Sequence, residues 1–241
     1  MARKIVIYGG YGGIARSLGQ LLEAQGVSLH LVGRDGEKLA ARAKELGAGY
    51  TVGDVTDPGL YERVAREAGE VLDGLVYAVG NLDLRSLQRC TAETLLHDFQ
   101  VNAVGAALAV QASLPALKRS PAVASVVFFS SVAALQGYAQ HTAMSMAKGA
   151  VSGLTLALAA ELAPRVRVNA LAPSLTQTSL TASLLANESM AQTLATRHAL
   201  QRLGTGEDIA GLAAFLLSEQ AGWITGQVIS VDGGRSTLAS R

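Results

Sequence analysis

The chain has 241 residues, 49% hydrophobic and 16% charged, with a formal net charge of +1. So even a balance carries no electrostatic footprint for nucleic acid or an acidic partner, and the length suffices to bury a core without disulfides or structural metal. Cys90 is the only cysteine, which excludes an internal disulfide and a cysteine–histidine metal cluster and fits a reducing, cytoplasmic setting.

"KIVIY" is the first predicted strand, and the run around it is too short for a secretory signal. The glycine loop "YGGYGGIARSLG" follows and opens a helix. Gly9 turns the chain, Gly13 lets the backbone approach a pyrophosphate, and the free amides of the helix start face that anion. Gly9, Tyr11, Gly12, Gly13 and Ile14 are therefore candidate nucleotide contacts. Ala15 takes the third small position. A plain strand–helix turn would use the same glycines, but placement directly after the first strand favours the nucleotide.

The second strand, "VSLHLV", runs into "GRD". Gly33 offers no carboxylate to a ribose 2′-hydroxyl, whereas Arg34 can pair with a 2′-phosphate, so NADP(H) is favoured over NAD(H). A solvated arginine at a helix start is the alternative. Asp35 is a natural N-cap for "GEKLAARAKEL", and Gly47 a natural stop. "GYTVGDV" contains the third strand. Asp54, with Val55 beside it, is placed to meet an adenine amino group, while the cap of the next helix belongs to Thr56 or Asp57. "LDGLVYAV", "VASVVFF", "RVRVNAL" and "GQVISV" complete the strands.

These runs are continuous and branched rather than alternating, as strands buried on both faces are. Their alternation with helices predicts right-handed βαβ units. The expected fold is α/β, a doubly wound parallel sheet of about seven strands (Rossmann-type) with helices on both faces, in a single domain spanning 1–241. Phe99–Leu117 and Ser120–Ala147 lack Asp, Glu, Lys and Arg; they read as elements buried on all sides, not as membrane spans. Leu175–Arg202, richer in Thr, Ser, Gln and Asn, reads as a mobile helical flap over a site at the carboxyl ends of the strands.

From "GGYGGIA" to "TGQVISVDGG" the order and spacing of the motifs resemble the short-chain dehydrogenase/reductase family. "VYAVG", "VNAVG", "FFSSVAALQG", "MSMAKGAVSGLTLALAAELAP" and "RVNALAPSLTQT" fall where that family has its motifs. The resemblance implies that Ala78, Val79 and Gly80 line the cofactor and that Asn102 holds a water in a proton relay. Ser131 would bond the substrate oxygen, and Lys148 would bind the nicotinamide ribose. Pro173, Ser174, Thr176 and Thr178 match the stretch that touches the carboxamide. It also implies homodimers or homotetramers built from the two long helices, and the small residues of "KGAVSGLTLALAAELA" suit such packing.

Three departures stand out. Tyr8 replaces a threonine, and Tyr77-Ala78-Val79-Gly80 replaces Asn-Asn-Ala-Gly. Met144 occupies the position of the proton-donating tyrosine, both thirteen residues after Ser131 and four before Lys148. A thioether donates no proton, and losing a general acid typically lowers a rate by ~10²–10⁴-fold. Three substitutes are available: His141, two helical turns before Lys148; Tyr138; or a water held by Asn102 and Lys148. Lys148 has no acidic partner four residues away on either side, so an unpaired ammonium there needs a hydroxylated or anionic ligand.

The expected activity is NADP(H)-dependent reduction of a small or moderately apolar carbonyl compound or activated alkene, with Ser131, Lys148, Asn102 and His141 as the catalytic candidates. The alternatives are a catalytically silent nucleotide sensor or partner subunit, and a non-redox lyase or isomerase. Asn102 and Ser131 favour the first, because neither anchors nucleotide in the family.

Overall fold

The computed structural model describes residues 2–238. Seven strands form one wholly parallel sheet: β1 (Lys4–Tyr8), β2 (Ser28–Gly33), β3 (Gly49–Val52), β4 (Gly74–Tyr77), β5 (Ala124–Phe129), β6 (Val166–Pro173) and β7 (Val228–Val231), in the order β3-β2-β1-β4-β5-β6-β7. The order reverses between β1 and β4, and a doubly wound sheet opens its ligand crevice at that switch point. The strand assignments of the sequence hold, because successive side chains point to opposite faces and both faces are covered. In β1, Ile5 and Ile7 enter one core with α1 (Gly13–Ala24), α2 (Gly36–Leu46) and α8 (Gly206–Leu217). Val6 and Tyr8 enter the other, with α3 (Gly59–Ala68), α5 (Gly105–Lys118) and α6 (Thr142–Leu162).

Local signals set both ends of α2. Asp35 caps α2 by accepting from the Lys38 amide at 3.1 Å, and Gly47 ends it in the left-handed region at φ 58°. The start of α3 departs from expectation. Pro58 occupies its N-cap, and Asp57 instead accepts from the Gly59 amide at 2.9 Å. Proline suits this place because it has no N–H to leave unpaired.

The two uncharged stretches are not buried on all sides. Phe99, Val123, Leu135 and Met146 within them are exposed. At 21 residues and mean hydropathy 1.3, α6 is long and apolar enough to cross a membrane. Ala147, Val151, Thr155, Ala159 and Leu162 nonetheless bury one side of it against the sheet. The other side carries Met146, Gly149, Gly153 and Leu156. No atom lies within 4 Å of where a Cβ on either glycine would stand.

Between α4 (Ala92–Phe99) and α5 the helix widens into a π-turn over Gln100–Val104. The Gly105 amide bonds Gln100 O rather than Val101 O, which leaves the Val101 carbonyl without its helical donor. Tyr77 donates its hydroxyl to that carbonyl at 2.7 Å. A side chain at Gly105 would overlap the Tyr77 hydroxyl, so the glycine admits the compensating bond. The segment Leu175–Arg202 is partly helical, with α7 (Glu188–Ala195) capped by Asn187.

Candidate active site

A cleft of about 760 Å³ opens at the carboxyl ends of the strands. At its floor Gly9 adopts φ +80°, and a Cβ there would stand 2.8 Å from Ala78 O. The loop can therefore lie close against the β4 end only as glycine. Gly12 is the N-cap of α1 and supplies no side-chain cap, and the first turn has no acidic residue, so its first amides are open to an anion. Gly13 has a different reason to be small: a Cβ would meet Thr178 at 2.7 Å. The chain after β6 thus closes directly onto the glycine loop.

Gly33, at the end of β2, is covered by the ring of Tyr11. A Cβ at 33 would stand 2.5 Å from Tyr11 Cε1 and 2.9 Å from Cδ1. No acidic side chain fits there while the ring holds its place, and Arg34 lies next along the cleft wall. Asp54 also lines the cleft, with Oδ1 accepting from the amide and hydroxyl of Thr56 at 2.9 and 2.7 Å. Those bonds hold its carboxyl below the usual range and leave Oδ2 for a ligand.

At the other end, Lys148 sits on α6 one turn beyond Met144. It is 7% exposed, and its Nζ donates to Phe129 O at 2.9 Å. Burial lowers its pKa from 10.5 to about 8. An ammonium has three hydrogens to donate, and Phe129 O is its one hydrogen-bond partner among the described residues. Asn102, in the π-turn, donates Nδ2 to Asn81 Oδ1 at 2.7 Å and Asp98 O at 2.8 Å. Its Oδ1 is buried without a partner. Asn102 Oδ1 and Lys148 Nζ would lie 3.2 and 3.3 Å from a Cβ on Gly80. Glycine at 80 thus lets a bare acceptor and a bare donor face one small space.

Ser131 accepts from the Ala133 amide at 3.1 Å, which leaves its hydroxyl hydrogen for the cleft it lines. Its neighbour Ser130 is structural, bonded to Lys148 O at 3.0 Å and to Ser152 Oγ at 2.8 Å. His141 is the residue before α6 rather than part of it; its Nδ1 contacts Ala139 O at 2.7 Å. Tyr138 donates to Gln136 Oε1 at 2.8 Å beneath the Arg235 guanidinium, 5.4 Å from the ring centroid.

Every residue picked from the sequence lines this one cleft except Asn102, which sits behind Gly80 rather than in the wall. The sequence reading missed His198, Arg197 and Arg235, which also line it. Among the described residues, Arg34, Lys148, Arg197 and Arg235 line the cleft with one carboxylate, Asp54. That field suits anionic ligands in a chain whose overall charge is near zero.

A family model described as enoyl-(acyl carrier protein) reductase matches residues 10–236. The chain belongs to the short-chain dehydrogenase/reductase family. It is 32% identical over 254 residues to an L-2,3-butanediol dehydrogenase of Corynebacterium glutamicum, spanning 97% of this chain and 98% of that one. A solved short-chain type dehydrogenase/reductase from Mycobacterium ulcerans superposes with TM-score 0.91 at 30% identity, covering 97% of this chain and 90% of the other. ElxO, solved with NADP bound, superposes with TM-score 0.90 at 26% identity and covers 99% and 100%. Within this family of oxidoreductases the uncapped α1 start, the glycine-lined floor and the paired vacant groups of Asn102 and Lys148 fit a nicotinamide dinucleotide.

Proposed function

We propose that the chain is an NADP(H)-dependent oxidoreductase acting on a small or moderately apolar carbonyl compound or activated alkene. One observation carries the reading: Lys148 is buried as an ammonium with hydrogens to spare, beside the unpartnered Oδ1 of Asn102 and within the same cleft as Ser131. Such a group is costly to bury unless a ligand's hydroxyls receive it. The preference for NADP(H) draws on Tyr11 over Gly33, which keeps a carboxylate out, and on Arg34 beside them. When bound, the cofactor supplies the hydride.

The protein's own residues then have separable tasks. The amides of α1 hold the diphosphate, and Arg34 pairs with the 2′-phosphate. Lys148 orients the ribose next to the reactive ring, and Ser131 donates a hydrogen bond to the substrate oxygen as charge builds there. Met144 forms an apolar part of the floor. A second copy of the chain packs on the open side of α6, where Met146, Gly149, Gly153 and Leu156 allow two helices to approach closely.

Met144 itself favours a second reading, nucleotide binding without turnover. Fluorescence titration with NADPH and NADH tests the cofactor, with NADPH expected to bind more tightly. A screen of carbonyls and activated alkenes for NADPH consumption then separates enzyme from sensor. Failure of both nucleotides to bind below millimolar would refute both readings.

A further inference from the structure

Ser174 and His198 form a pair that the steps above leave unused. His198 is 4% exposed. Its Nδ1 faces Leu194 O at 3.0 Å and Ala195 O at 3.3 Å, and its Nε2 lies 2.9 Å from Ser174 Oγ. Carbonyls only accept, so Nδ1 carries the hydrogen. In the neutral ring Nε2 must then accept from the serine hydroxyl. The backbone thus fixes the tautomer of an imidazole aimed at a hydroxyl, so that a proton can pass in either direction along the Oγ–Nε2 bond.

The pair stands in the wall between the large cleft and a smaller cavity of about 140 Å³ behind it. Its position in the sheet matters. Phe129 is in register with Leu171, and the Ser130 amide donates to Leu171 O at 2.7 Å. Ser131 and Ser174 therefore leave neighbouring strand ends, which lie about 5 Å apart in a sheet. The other donors are placed less well. The Tyr138 proton is engaged by Gln136, and His141 sits outside α6 on a backbone carbonyl.

We propose that Ser174, recharged by His198, delivers the proton that Met144 cannot. The proposal rests on the reductase reading. The cofactor, when bound, would supply hydride to the carbonyl carbon, and the C=O π pair moves to oxygen. That oxygen takes the Ser174 proton as Ser174 Oγ takes one from Nε2 of the His198 imidazolium. The Nδ1–H stays on Leu194 O throughout, and solvent returns the lost proton to the ring. Rate thus requires the imidazolium and falls with rising pH. Of the two cavities that His198 lines, the large cleft carries Arg34, Asp54, Lys148, Arg197 and Arg235, and the smaller one Arg202, Asp208 and Asp232. Arg202 and Asp208 pair with each other at 2.6 Å, and Asp232 accepts from Gly234 and Ser236.

The test compares wild type with Ser174→Ala, Ser174→Thr, His198→Gln and Met144→Tyr. It reads kcat against pH with NADPH and a carbonyl panel, NADPH Kd, and the nitrogen shifts of His198 by NMR. Expected is a fall of about 10²-fold or more in kcat for Ser174→Ala and His198→Gln, with Kd unchanged within about twofold for His198→Gln. Ser174→Thr should restore the rate, the pH dependence should flatten in Ser174→Ala, and neutral His198 should carry its hydrogen on Nδ1. Wild-type kcat and pH profile in Ser174→Ala, or a hydrogen on Nε2 of the neutral ring, would overturn the relay. Turnover in Met144→Tyr but not in wild type would overturn the relay alone and leave the cofactor reading standing. Absent NADPH binding would overturn that reading and the relay with it.

Discussion

Replacing Lys148 with methionine should make the protein more stable while weakening its grip on nucleotide. The ammonium is 7% exposed, and burial takes its pKa from 10.5 to about 8. That gap corresponds to about 3 kcal/mol of penalty for keeping the group charged at neutral pH. Methionine fills similar space without charge. It leaves Phe129 O without its donor, which returns about 1–2 kcal/mol. A net gain of about 1–2 kcal/mol remains, or roughly 2–8 °C in Tm for a chain of this size.

The pH dependence has a definite sign. The unfolded lysine keeps its proton to 10.5 and the folded one only to about 8, so between those values the unfolded chain binds more protons. Wild-type stability therefore rises with pH across that window. The advantage of Lys148→Met should be full below pH 8 and shrink as pH approaches 10.5. Thermal melts at pH 7 and pH 9.5, with and without NADPH, measure this, and NADPH should raise the wild-type Tm far more than that of the variant. If Lys148→Met is no more stable at pH 7, or its advantage is the same at pH 9.5, the ammonium is hydrated and no ligand is needed to explain it.

Gly33→Ala should push the Tyr11 ring into the cleft and weaken NADPH and NADH alike. Gly33→Asp adds a charge that, at ~5 Å and an effective dielectric of ~40, costs about 1.7 kcal/mol against a phosphate, or roughly 15-fold in Kd for NADPH relative to NADH. Equal losses for both nucleotides in a fluorescence titration would show that the 2′-phosphate is not held there. Tyr77→Phe leaves Val101 O unpaired in the π-turn and should cost about 1–2 kcal/mol, seen as a Tm lower by roughly 2–8 °C; an unchanged Tm would mean the turn does not depend on that bond. Leu156→Glu should shift the mass measured by light scattering toward the monomer, and an unaltered mass would rule out packing through that side of α6.

The strands and the glycine loop were legible in the sequence because a parallel sheet buried on both faces leaves continuous apolar runs that need no long-range information. The ends of α2 were legible because Asp35 and Gly47 act on their own neighbours. Other features depend on contacts between distant residues. The π-turn is a one-residue shift of hydrogen bonds with no compositional mark. Tyr77 looked like a loss from a family motif, and only the geometry shows it serving Val101 O, 24 residues away. Gly33 was read correctly as lacking a carboxylate, yet the reason, the Tyr11 ring, lies on another element. His198 was invisible because its partner Ser174 lies 24 residues away on a segment that only the fold brings to it.

The departures from the family pattern thus fall into two kinds, and physical cost separates them. Tyr77 replaces one polar group with another and is compensated locally by Gly105 and Val101. Tyr8 packs between Tyr61 and Tyr77, with ring centroids 6.1 and 5.7 Å away, and belongs to the core. Met144 is different, since Ser131 and Lys148 line the same cleft with it. A chain with no nucleotide to bind would gain stability by losing the buried ammonium of Lys148 and the unpaired Oδ1 of Asn102, each a standing cost in the folded state. Ordinary point changes remove either one. That both persist, turned toward the same gap beside Gly80, is what a ligand-dependent site requires and what a drifted scaffold would shed. On the proposed reading, the missing hydroxyl bears on how the proton arrives, not on whether the cleft holds a nucleotide.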